Sequence, residues 1–136
     1  MKLQLFLLAD FINMADGKLN IIGEFDTIWS NNFPVRHHLM CIVAKISFDS
    51  DDFGRNKTIK LLLIDEEGIE LMKSEREYYV PQPNSDSPHM YTHVFNFVGA
   101  VFKHSAQHQF NLYADEDLLG SIPLNVVLRE TTTYKD

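Results

Sequence analysis

Cysteine, tryptophan, glycine and proline are all scarce in this 136-residue chain, at one, one, six and five residues. A lone cysteine, Cys41, excludes an internal disulfide and any cysteine-built zinc module. Basic residues are few as well: 12 Lys and Arg face 19 Asp and Glu, a net charge of -7. That balance argues against a nucleic-acid partner, because phosphate binding is driven by basic clusters. No apolar run approaches the roughly 20 residues of a membrane span. The stretch from Leu3 to Ala9 comes nearest, but Gln4 interrupts it, Asp10 ends it and no small-x-small cleavage site follows. The chain is therefore expected to act in the cytoplasm. Also missing are a G-x-S-x-G elbow, an H-E-x-x-H pair and a phosphate-cradling glycine loop. No enzyme is expected, and no residue is named as catalytic.

What is present is alternation. Apolar residues, 45% of the chain with Ala, Tyr and Cys counted, recur mainly with period two. About eight strands are predicted, over 3–12, 19–28, 38–48, 57–65, 69–80, 91–102, 108–114 and 118–128. Leu3, Leu5, Leu7, Ala9 and Phe11 give the first strand an apolar face directed at a core. Asp16-Gly17 is the strongest hairpin signal. Gly23 inside the second strand points to a bulge or a close backbone approach, and Pro123 in the last one to an edge or bulge. The third strand is apolar on both faces around Met40 to Ala44, as a central strand would be. Cys41 within it reads as a buried thiol. Short strands separated by turn signals predict an all-β fold: a single-domain antiparallel β-sandwich over 1–130, Ig-like, C2-like or jelly-roll-like, followed by a frayed tail at 131–136. A domain of this length buries roughly two thirds of its unfolded surface and needs neither disulfide nor metal to fold.

Eight antiparallel strands sort their loops to two ends. One end collects Asp16, Asp49, Asp51, Asp52, Asp86, Asp115, Glu116 and Asp117, together with the proline-rich loop from Pro81 to Met90. Calcium takes six to eight oxygen ligands, and Asp49, Asp51, Asp52, Asp115 and Asp117 are the candidate ligands there. Acidic turns that keep a sheet protein soluble are the plainer account. The other end collects Arg36, His37, His38, Lys103 and His104, with Trp29 and Phe33 nearby, and these seven form the candidate binding set. His89 with His93, and His104 with His108, are spaced four apart, a spacing that converges on a helix but not on a strand. No cofactor is required, calcium being the one under consideration.

Two segments carry a resemblance. The run Leu8-Ala9-Asp10-Phe11, then Gly17-Lys18-Leu19-Asn20-Ile21-Ile22-Gly23-Glu24-Phe25-Asp26-Thr27-Ile28 and Phe33-Pro34, resembles the opening of a widespread uncharacterised family of small bacterial proteins. Leu118 to Val126 resembles its closing strand. The shared core is G-K-x-x-I-I-G-x-F-D. The resemblance implies a bacterial or phage origin and a β-sandwich, and it brings no catalytic residue with it. The chain departs from the pattern at Ala106 and His108, where a Gly-x-Tyr pair is expected.

The expected function is a non-catalytic interaction module that presents loops or a sheet face to a protein partner. The alternatives are a calcium-dependent C2-like module binding lipid or carbohydrate through its acidic loops, and a structural component of a phage or phage-like assembly. Open strand edges also leave a homo-oligomer possible in principle.

Overall fold

Alternation is realised as strand along almost the whole chain. The computed structural model describes residues 1–83 and 89–130 and holds nine strands: β1 (Lys2–Ala15), β2 (Lys18–Glu24), β3 (Thr27–Ser30), β4 (Val35–Ser47), β5 (Asn56–Ile64), β6 (Glu70–Tyr79), β7 (Met90–Phe102), β8 (Ala106–Ala114) and β9 (Asp117–Leu128). They form a four-stranded sheet of order β2-β1-β4-β7 and a five-stranded sheet of order β3-β9-β8-β5-β6. The two sheets pack as the expected β-sandwich, and no helix of the described residues is long and apolar enough to cross a membrane. The expected tail at 131–136, and 84–88 with Asp86 in the proline-rich loop, lie outside the described residues.

One strand more is present than expected, because the stretch 19–28 divides between the sheets. Gly23 adopts φ +72, and a Cβ there would meet Asp10 Oδ2 at 2.5 Å, so this close approach of two strands in unbroken register favours glycine. The chain then crosses over within one residue. The Phe25 N–H donates to the Leu8 carbonyl (3.0 Å) in one sheet, and the Asp26 carbonyl accepts from the Asn125 N–H (2.8 Å) in the other. β3 lies parallel to β9, while every other pair is antiparallel. Pro123 is tolerated in β9, an interior strand, because β3 pairs with it only from Asn125 onward.

The main core lies between the sheets. Met40, Ile42, Ala44 and Ile46 of β4 and Phe95 and Phe97 of β7 pack against Ile59, Leu61 and Leu63 of β5, Phe110 and Leu112 of β8, and Leu124 and Val126 of β9. A second, smaller core explains why β4 is apolar on both faces. The β1–β2 hairpin, turned by Asp16 (φ 53) and Gly17 (φ 71), folds back across the outer face of its own sheet. Ile12 and Leu19 of the hairpin pack on Cys41, Val43, Leu5, Leu7 and Val94. Cys41 is buried as expected, with its Sγ 3.1 Å from Asn96 Oδ1 and 3.6 Å from the Asp10 carbonyl. The first strand is thus used differently from the expectation. Leu5, Leu7 and Ala9 serve the second core, Leu8 serves the main one, and Phe11 is exposed. The hairpin tip shares a groove with Lys45, Met90, Tyr91 and Thr92.

Candidate functional site

The acidic loops meet cations of the protein itself. The Met1 amino group lies 3.0 Å from Asp52 and 3.2 Å from Asp49, and Lys57 Nζ stands 3.5 Å from Asp52 and 3.6 Å from Asp115. Burial alone would raise the Asp52 carboxyl. The Asp49 amide that donates to it, the Met1 ammonium and Lys57 together hold it below its ordinary range. Asp115 Oδ1 accepts the Thr58 N–H (3.0 Å). Asp51 and Asp117 are exposed and form no ion pair among the described residues. No three metal-ligating side chains converge among the described residues. The five-aspartate calcium site does not match this geometry, since the ammonium groups occupy the ground between the carboxylates that do approach one another.

The seven candidate binding residues are divided between the two sheets and the loops at this end. Phe33 is half-buried against the main core. The Arg36 guanidinium covers Gly99, where a Cβ would lie 2.8 Å from it. His37 is half-buried 5.7 Å from the Phe25 ring, and burial lowers its pKa against the opposing pull of Asp10. His38, Lys103 and His104 are exposed. Trp29, 60% exposed, belongs to the other sheet, on β3. The turn between β5 and β6 also adds Asp65 and Glu66 near His108, so the end opposite the aspartate loops is not purely basic.

What gathers around Trp29 is a different set. On the outer face of the five-stranded sheet, β8 presents Gln107, Gln109 and Asn111, and β9 presents Ser121, Pro123 and Asn125. Gln107 pairs across the strands with Asn125, which in turn pairs with Thr27 of β3. Asn111 Oδ1 accepts from both Gln109 Nε2 and Ser121 Oγ, each at 2.6 Å. Two grooves, of about 500 and 450 Å3, run along this face and share Glu66, Gln107 and Asn125. Asp65 is consumed by its own turn, where Oδ1 accepts the Glu67 and Ile69 N–H groups at 2.9 Å. Glu66 remains exposed between the grooves. The sequence reading missed this set, although a signal existed. All three outward residues of β8 from Gln107 to Asn111 are carboxamides, where a solvated strand face ordinarily carries Lys and Glu.

The strand edges differ from one another. On one side of the sandwich β6 and β7 close together, with Arg76 Nη2 donating to the Val94 carbonyl (3.2 Å) and its guanidinium 4.1 Å from the Phe95 ring centroid. Behind it His93, 2% exposed, packs among Tyr78, Tyr91 and Phe95, and neither ring nitrogen has a hydrogen-bond partner among the described residues. Burial, helped by the Arg76 charge, pushes its pKa down to about 4. On the other side β2 pairs only with β1 among the described residues. From Leu19 to Gly23 it carries no charge, and Ile22 is 62% exposed beside its cross-strand neighbour Phe11.

The model of a family of unknown function, DUF6941, matches residues 4–127. No curated protein matches the chain.

Proposed function

The chain belongs to the family of unknown function DUF6941, and from its own geometry we propose that it is a non-catalytic interaction module that takes up an extended segment of a partner protein along the free edge of β2. The observation that carries this reading is the contrast between its edges. β6 turns Lys73, Glu75 and Glu77 outward and is closed against β7. Charged outward residues are a common device against strand pairing. β2 has none of that protection over Leu19–Gly23, and Phe11, Met14, Ile21 and Ile22 leave apolar surface beside it. Main-chain pairing along such an edge supplies affinity, and side chains flanking it supply selectivity.

The test is affinity capture from the source cells with the wild-type chain and with Ile22→Lys, after checking that both melt alike. A partner retained by the first and lost by the second, with amide exchange of β2 slowed in the complex, supports the reading. Equal retention by both overturns it. So does a wild-type dimer that Ile22→Lys dissociates, since the edge then serves self-association.

A further inference from the structure

We infer that the carboxamide face of the five-stranded sheet is a binding site for an uncharged oligosaccharide, lying from Trp29 past Asn125 and Gln107 toward Gln109. This surface is independent of the β2 edge, which belongs to the other sheet.

Sugar hydroxyls donate and accept at once, and a carboxamide does the same, with two N–H donors and one carbonyl acceptor. Gln107 and Asn125 make no side-chain hydrogen bond within the protein among the described residues, so both are free to serve a ligand. Their cross-strand register sets them side by side in one row with Thr27. Gln109 is held in place by its bond to Asn111, which reduces the rotamer freedom lost on binding. Trp29 supplies the element that hydrogen bonds cannot. Its exposed ring, opposite Val127 at the margin of the second groove, offers a flat apolar face to the C–H side of a pyranose.

The charge of the lining selects the ligand further. Asp65 and Glu66 border the grooves, and among the described residues no Lys or Arg does. An anionic polymer is repelled there, whereas a neutral polyol gains an acceptor in Glu66. A folded protein is a poor occupant. The row is polar from Thr27 to Gln109, and protein interfaces draw on a buried apolar centre that it lacks. The groove volumes fall within the range of small-ligand clefts.

Trp29 is the only tryptophan of the chain, so its emission reports on this face alone. Cellohexaose, chitohexaose and maltohexaose are titrated against the intact protein, with a glycine-serine hexapeptide in parallel. At least one hexasaccharide is expected to shift Trp29 emission saturably and to move the side-chain amide resonances of Gln107 and Asn125. Gln107→Ala and Asn125→Ala should each weaken that binding about tenfold, without altering the melting temperature. Ile22→Lys should leave it unchanged. The proposal is overturned if neither emission nor amide resonances respond to any of the three saccharides. It is equally overturned if only the peptide gives a saturable response, or if both alanine variants bind as the wild type does. Loss of saccharide binding and loss of partner capture therefore fall on different variants.

Discussion

The two sheets treat their outer faces in opposite ways. The outer face of the four-stranded sheet is roofed by its own hairpin, so that Cys41 and Val43 are as buried as the residues of the main core. The outer face of the five-stranded sheet stays open, and its middle is a row of carboxamides. An apolar face must be covered by something, and here the nearest stretch of chain folds back to do it. A polar face can remain in water, and it keeps its hydrogen-bonding groups available to a ligand.

The largest expected effect breaks the roof. Ile12→Ala removes a buried side chain from the hairpin, and a loss of about 3 to 4 kcal/mol in urea unfolding is expected. A loss below about 1 kcal/mol would mean that the hairpin contributes little to the second core.

The next effect sharpens the contrast between inside and outside. Carboxamides on the open face can satisfy themselves with water, but His93 on the inner face has no partner among the described residues. Its folded pKa of about 4 lies below the ordinary 6.5. The unfolded chain takes up a proton there below about pH 6.5, and the folded chain only below about pH 4. The stability contribution of neutral His93 is thus complete above pH 6.5 and lost as the pH falls through that window, by up to about 3 kcal/mol. Denaturation series at stepped pH should show this slope, and His93→Phe should flatten it. Identical slopes for both proteins would place the acid sensitivity elsewhere.

Gly23→Ala tests the close approach of Asp10 to the hairpin. A Cβ at φ +72 facing Asp10 should cost about 1 to 2 kcal/mol, read as a lower melting temperature. Pairing it with Asp10→Ala relieves the clash but not the strained backbone, so only part of the loss should return.

The smallest effect belongs to the open face. Gln109→Ala should change stability by no more than about 0.5 kcal/mol, because the site is solvated. A loss comparable to that of Ile12→Ala would show that the carboxamide row is structural.

Much of this was legible in the sequence. Alternation located every strand except β3, and Asp16-Gly17 marked the β1–β2 hairpin, because period and turn chemistry are local. The stretch 19–28 reads as one continuous strand because nothing in Ile22-Gly23-Glu24-Phe25-Asp26-Thr27 interrupts the alternation. Its change of sheet depends on hydrogen bonds from Phe25 and Asp26 to strands far apart in sequence. The candidate sites fared less well. Asp49 and Asp52 do come together, yet around the ammonium groups of Met1 and Lys57. Trp29 proved part of a surface whose other members, Gln107, Gln109 and Asn125, arrive from β8 and β9, which lie far from it in sequence.

By itself the sequence determined the class of fold, the hairpin turn, the burial of Cys41 and the lack of any familiar catalytic motif, since each follows from residue type and short-range spacing. Only the tertiary structure decided which apolar face received the hairpin, which edge was left free, and which polar residues became neighbours. Those outcomes depend on where the chain crosses between sheets, which hydrogen bonds from Phe25 and Asp26 to strands far apart in sequence decide.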